Sequence, residues 1–534
     1  MTKDDRTDSS DWPRNVRGKM KQQPDILVFM SDQHNAHVAG FAGNSVVETP
    51  NLDRIAASGA VCRAAYTPCP LCVPARTSFV TGQGPCRTGV FGNVTPFSSE
   101  QPTFLHRMGA AGYETVLVGR MHFVGADQRH GFARRVFPDM SPSYHKGYAD
   151  LYRELELGGK LLPLHANPGS MNVVGGGKGV LLEYDRRCVQ AALDYLALPH
   201  DKPQCIVVGT CGPHSPYIAT PEWYRHYEGR VSLPPSWPEQ RVVEHPILAE
   251  YVNAESTYRP GWQEEEVPVD GELFEAIITA YYGLVSFQDE LVGRVREAWG
   301  DYLARTSREG LFCYTSDHGD MVGEHGLLAK RYLLDGSAAI PMVWEGDGIA
   351  PGTEIKGAVS LMDIGSTLCD LAGAIAPPDQ DGCSILPALH GGTDDTERAV
   401  FSDYIFKGMP KRMVRQGRWK LIHYHGRDDG DLLFDLEADP YEMNSLAAAE
   451  PGVTARLRQL LLKDWDPEEL LKRQAQVELE DKRRMEQEQE QDLEDPDRWP
   501  VPPGTCKLPL EVGPQGKGCS TDETDRKRFG VGGG

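Results

Sequence analysis

The sequence predicts an α/β protein: a large, mostly parallel sheet sandwiched by helices, followed by a smaller α+β domain with an antiparallel sheet. Three observations predict it. Short, fully apolar runs recur between residues 24 and 319, helical patterns lie between them, and the periodicity changes near residue 400. Strands alternating with helices imply parallel pairing, because each crossover helix returns the chain to the same edge of the sheet.

The strand runs are PDILVFMSDQ (24–33), ETVLVGRMH (114–122), QCIVVGTCGPH (204–214) and GLFCYTSDHG (310–319). Each is apolar throughout and rich in β-branched or aromatic residues, as expected of strands covered on both faces. NLDRIAASG follows the first run as a helix. FLHRMGAAG precedes the second, and DYLARTSREG precedes the last. The stretch LFEAIITAYYGLVSFQDELVGRVREAW carries apolar residues at helical spacing over its whole length. From about residue 400, short alternating strands separated by Gly and Asp turns predict the antiparallel sheet, with Trp419 and Phe434 in its core.

These signals divide the chain into a polar extension (1–22), a large domain (23–398), a small domain (399–463), and a charged arm with a Pro- and Gly-rich tail (464–534). The arm reads as an exposed helix or a mobile segment, and arm and tail together suggest a homo-oligomer contact. A formal net charge of −22 argues against nucleic acid as a partner. The polar amino terminus has no apolar stretch of signal-peptide length, and no segment is apolar enough to span a bilayer. With twelve scattered cysteines, the expected setting is the cytoplasm, with no membrane partner and mostly free thiols.

In a parallel sheet, ligands bind beyond the carboxyl ends of the strands. Those ends carry Asp32 and Gln33, Arg120 and His122, His214, and Asp317 and His318. Two carboxylates and an amide oxygen suit a hard divalent cation, and His318 adds a nitrogen donor. Lone Asp pairs also cap helices and form turns. Residues 69–76, CPLCVPAR, pose a separate question. A zinc site needs a second Cys/His pair at suitable spacing, and Cys86 has no such partner. A redox dithiol opens a helix soon after a strand, whereas this pair sits among prolines. Cys69 alone reads as a small buried hydrophobe.

The stretch CVPARTSFVTGQ (72–83) resembles the signature of the sulfatase family within the alkaline phosphatase superfamily. Further segments resemble the family in order: SDQ (31–33), RTGVFGN (87–93), GRMHFVG (119–125), GPHSPY (212–217), TSDHGDMVGEHGLLAK (315–330), and the small carboxyl-terminal domain. The resemblance implies an alkaline phosphatase-like fold and a sulfuric ester hydrolase of the choline-sulfatase-like branch. It implies that Cys72 is oxidised to formylglycine by a formylglycine-generating enzyme that reads Pro74 and Arg76. The aldehyde hydrates to a geminal diol, whose second hydroxyl lets the sulfated intermediate collapse to aldehyde and free sulfate.

The remaining roles follow from the same resemblance. Asp32, Gln33, Asp317, His318 and the converted Cys72 would hold the metal, with Ca2+ ahead of Mg2+ or Mn2+. Arg76 and Lys330 would position diol and sulfate, His122 would contact sulfate, and His214 would be the general acid. Asn93 would orient the diol. Arg120 stands where many members have Lys, and Gln33 and His318 stand where many have Asp and Asn. The implied substrate is a small or saccharide sulfate ester. Two alternatives stay open: a phosphonate or phosphodiester hydrolase with the same machinery, and a non-catalytic binding protein that keeps Cys72 as a thiol.

Overall fold

A computed structural model describes residues 23–145, 147, 174–237, 247, 271–406, 408–427, 430–491, 493–502 and 511–513. An eight-stranded sheet organises the large unit, in the order β10-β2-β9-β8-β1-β6-β3-β4. Its strands are β1 (Asp25–Asp32), β2 (Ala60–Tyr66), β3 (Glu114–Gly119), β4 (Arg134–Phe137), β6 (Gln204–Pro213), β8 (Gly310–Ser316), β9 (Met342–Gly346) and β10 (Thr353–Ser360); β5 (Gly175–Gly176) and β7 (Ile218–Ala219) form a separate pair. β1 pairs in parallel with β6 and β8, and β3 in parallel with β6 and β4; β9 runs antiparallel to both its neighbours.

Every residue of β1 is buried, and successive side chains enter opposite cores. Leu27 and Phe29 pack on one face; Ile26, Val28 and Met30 pack on the other. Helices cover both faces: α1 (Pro50–Ser58), α2 (Cys72–Thr81), α3 (Phe104–Ala110), α4 (Val180–Leu196), α5 (Gly271–Thr306) and α6 (Asp363–Ala372). Thr103 and His106 close a reciprocal capping box at the start of α3. The segment read as a separate helix before β8 is instead the last turns of α5, since nothing in DYLARTS breaks the helix.

Two strands end earlier than their apolar runs. β3 stops at Gly119 (φ +87°), and His122 has φ +57°, so the chain leaves the sheet before Arg120 and His122. A Cβ at position 119 would stand 2.4 Å from the Gly209 carbonyl oxygen, which explains the glycine. β6 ends at Pro213, one residue before His214.

The second sheet is antiparallel, β11 (Ala399–Phe406), β12 (Met409–Gln416), β13 (Trp419–Tyr424) and β14 (Asp431–Asp435) in sequential order. Phe434 is buried and Trp419 is half-buried against the core beneath α7 (Pro451–Leu462). The charged arm forms α8 (Pro467–Glu490), started by Asp466, whose side chain accepts from the Glu469 amide. It is not simply exposed: Leu470, Asp481 and Glu488 are buried against the same chain. Among the described residues no helix is long and apolar enough to cross a membrane.

Candidate active site

α2 begins at Cys72, and all ten of its residues are buried. The helix places Cys72 and Arg76 one turn apart, both beneath the carboxyl edge of the sheet. β1 delivers Asp32 and Gln33; the loop after β8 delivers Asp317 and His318 across the parallel pairing of Ser31 with Ser316. Register alone therefore brings together residues some 285 positions apart.

Cys72 Sγ lies 3.2 Å from His318 Nε2 and 3.9 Å from Asp32 Oδ1. His318 Nε2 is 3.9 Å from Asp32 Oδ1 and 3.7 Å from Asp317 Oδ1. One donor atom from each of Asp32, Cys72, Asp317 and His318 lies within 4.8 Å of all the others, and all four residues are buried. Arg76 explains the orientation. Its Nη2 donates to Asp32 Oδ2 at 3.0 Å and its Nε to Asp317 Oδ2 at 2.8 Å. Each carboxylate thus spends its δ2 oxygen on the guanidinium and turns its δ1 oxygen toward the shared point. The His318 Nδ1 lies 2.9 Å from the Gly319 carbonyl oxygen, which can only accept, so Nδ1 carries a proton and Nε2 is the nitrogen that presents a lone pair whenever the ring is neutral.

Lys330 approaches from the other side. Its Nζ donates to Cys72 Sγ at 3.1 Å and to Gln33 Oε1 at 2.7 Å, and lies 2.8 Å from His214 Nε2. Ala329 (φ +60°) and Arg331 (φ +86°) flank it, so strained backbone holds the amine in place. Gln33 itself has φ +71° and turns its amide oxygen to Lys330; its amide nitrogen donates to Asp320 Oδ2 at 2.6 Å. The expected role of Gln33 as a metal ligand therefore competes with its hold on Lys330.

Arg120 donates through Nε to Asp32 Oδ2 at 2.8 Å, and its Nη2 lies 3.0 Å from His122 Nδ1. Asn93 Oδ1 accepts from the Val73 amide at 3.0 Å, next to Cys72. Asp32, Gln33, Cys72, Arg76, Asn93, Arg120, His122, His214, Asp317, His318 and Lys330 thus lie at or beside the cluster. Burial would raise the Asp32 carboxyl, as would a Cys72 thiolate, but Arg120 and Arg76 hold it far below its ordinary range. Burial would likewise raise the Cys72 thiol; Lys330 and His318 pull it well below. Burial, then Arg120, lowers His122.

Three carboxylates escaped the sequence reading. Asp320 holds Gln33, accepts from Tyr217, and takes the Val322 and Ala329 amides on its other oxygen, fixing the turn that carries Lys330. Its position inside TSDHGDMVGEHGLLAK was the available signal. Asp139 accepts the Met121 and His122 amides at 2.8 and 2.7 Å, and no motif marks it. Asp481, on the arm, accepts from Thr95 two residues after Asn93.

The chain is similar to known proteins over most of its length. The sulfatase family profile matches residues 24–374, and that of the N-sulphoglucosamine sulphohydrolase C-terminal region matches residues 323–465. The choline-sulfatase of Rhizobium meliloti (strain 1021) is 34% identical over 468 residues, covering 84% of this chain and 88% of that protein. The arylsulfatase of Clostridium perfringens (strain 13 / Type A) is 25% identical, covering 84% and 95%. A structure in complex with its substrate D-glucosamine-2-N,6-O-disulfate superposes with a TM-score of 0.65 at 20% identity, over 85% of this chain and 99% of that one. The phosphonate monoester hydrolase of Agrobacterium radiobacter gives 0.63 at 22%, over 85% and 96%.

Proposed function

The chain belongs to the sulfatase family, in its choline-sulfatase-like branch, and hydrolyses organic sulfate esters; from that premise we propose that residue 72, converted to formylglycine, is the nucleophile at a site for one hard divalent cation. One observation supports this above all others. The four-donor point joins two carboxylate oxygens and an imidazole nitrogen to a sulfur, and sulfur is the donor that suits a hard cation least. An aldehyde hydrate at position 72 replaces it with oxygen.

Asp32, Asp317 and His318 would hold the cation, with Ca2+ the first choice and Mg2+ or Mn2+ the alternatives. When bound, it would polarise the nucleophilic oxygen and neutralise sulfuryl charge. Arg76 keeps both carboxylates oriented for it. Lys330, anchored by Gln33, offers an ammonium beside the nucleophile and against developing sulfuryl charge. His214, 2.8 Å from Lys330, is the proton donor to the departing alcohol. Arg120 fixes His122, and Asn93 fixes the first turn of α2.

Cys72, Pro74 and Arg76 are all buried, so the formylglycine-generating enzyme would read them before the chain folds. The ten cysteines of the described residues are free, which suits the cytoplasm. The substrate class is a small alcohol or saccharide sulfate, and choline sulfate is the first ester to assay. The test compares sulfate and phosphonate esters of one leaving group. Faster turnover of the sulfate is expected; faster turnover of the phosphonate overturns the substrate assignment.

A further inference from the structure

We infer that maturation of residue 72 changes which metal the site takes: the unprocessed chain, with its thiol intact, is a zinc site. This rests on the reading that residue 72 faces the metal point, and not on whether conversion occurs in any given preparation.

The geometry carries the argument. Tetrahedral zinc, with bonds of about 2.0–2.3 Å to nitrogen, oxygen and sulfur, puts neighbouring donors roughly 3.3–3.6 Å apart. Here the sulfur-to-imidazole separation is 3.2 Å, the two imidazole-to-carboxylate separations are 3.9 and 3.7 Å, and the sulfur-to-carboxylate separation is 3.9 Å. These four lie within roughly 0.6 Å of a zinc tetrahedron, and the remaining pairs lie within 4.8 Å, so side-chain shifts of that order close it. The donor count is also that of a closed site: one sulfur, one nitrogen and two oxygens.

The surroundings favour the same outcome. The hydrogen bond from Nδ1 to Gly319 makes Nε2 the nitrogen that would face the metal, in the neutral ring that metal binding selects. Arg76 and Arg120 occupy the δ2 oxygens and turn the δ1 oxygens toward the ion, that of Asp317 steadied by the Gln33 and His318 amides. Zinc accepts thiolate, imidazole and carboxylate together, whereas calcium and magnesium gain little from sulfur. Binding forms a sulfur–zinc bond from the Cys72 thiolate, and any proton still held on sulfur passes to solvent. Conversion to the aldehyde hydrate removes the soft donor, and with it the preference for zinc. A chain that folds before conversion therefore captures zinc and is held outside the hydrolytic pool.

The experiment uses the full chain made without conversion, its Cys72 thiol verified by peptide mass, stripped of metal and titrated with Co2+ as the spectroscopic probe. The expected result is one equivalent bound, with a near-ultraviolet thiolate-to-cobalt band and intense tetrahedral visible bands. Zn2+ displaces the cobalt; a large excess of Ca2+ or Mg2+ does not. The near-ultraviolet band is absent in Cys72→Ser, which preserves the shape of the side chain. Cobalt affinity in His318→Ala falls by more than the roughly 10–100-fold that loss of an outer-sphere partner costs. A band that survives Cys72→Ser, the weak bands of six-coordinate cobalt, or ready displacement by Ca2+ overturns the inference. The proposed function fails separately, on the residue-72 mass and turnover of processed enzyme.

Discussion

The residues around Cys72 and those around Lys420 bury the same kinds of group to different ends. Lys420, fully buried on β13, pairs with Asp335 Oδ1 at 2.5 Å and Glu442 Oε1 at 2.6 Å. Asp335 Oδ2 accepts from Tyr66 and Glu442 Oε2 from the Asp335 amide, so all four carboxylate oxygens have partners. That network closes on itself and fastens the small sheet to the large one. At the strand ends Arg76 also bridges two carboxylates, but it takes one oxygen from each; the other two face Sγ and Nε2, that of Asp317 while also accepting the Gln33 and His318 amides. The structural ion cluster pairs its oxygens around a shared cation; the site turns an oxygen of each carboxylate to a common point and fixes it there.

The largest effects come from removing each central cation. Arg76→Met and Lys420→Met should both cost about 3–5 kcal/mol of stability: the second strips the cation from Asp335 and Glu442, and the first strips it from Asp317 and leaves Asp32 to Arg120 alone. Turnover separates them: Arg76→Met loses roughly 10³-fold or more in kcat, while folded Lys420→Met turns over at the parent rate. Adding Asp335→Asn and Glu442→Gln to Lys420→Met should restore most of the stability. Urea unfolding with steady-state kinetics checks all three, and parental turnover in Arg76→Met would erase the distinction.

Next in size is Asp320→Asn. It weakens the grip on Gln33 and on the turn carrying Lys330, and a shift of about 1 Å there costs roughly 10²-fold in kcat. Unchanged kcat would remove Asp320 from the site's support.

A smaller effect should follow at the arm. Arg484 on α8 donates to the Val94 carbonyl and pairs with Asp481 and Glu488, which in turn hold Thr95 and the His145 amide. Ser143 donates to Asp495, and Trp499 to the Asp139 carbonyl, so the chain beyond α8 braces the loop that carries Arg120 and His122. Arg484→Ala should lower kcat/KM by about tenfold or less, with Arg484→Lys intermediate.

The smallest effect is a pH dependence beside the Lys420 network. Burial would lower His37, but Glu324, 3.1 Å away, raises it from 6.5 to about 9. A proton bound more tightly in the folded state stabilises fully below about pH 6.5 and is lost as pH rises toward 9. His37→Gln should therefore lower Tm most near pH 6 and hardly at all above pH 9.5. A pH-independent loss would assign the residue to packing alone.

The same contrast explains what was legible in the sequence. β1, β3, β6 and β8 announce themselves because a strand buried on both faces is a continuous apolar run, and their ends mark the site by topology. Cys72, Asp317 and Lys330 were legible as motif. Asp139 and Asp481 were not: each acts on backbone amides or hydroxyls far along the chain, and any sequence can supply those partners. The arm was legible as a largely exposed helix, but not in its three inward contacts. Its composition reads as a solvated helix, and nothing in a run of Glu, Gln and Arg tells which charges turn inward.

The account stands most directly on the mass of the peptide containing residue 72, taken from catalytically active enzyme. It predicts an aldehyde or its hydrate in place of the thiol. Full turnover from protein in which that residue is still cysteine would contradict it.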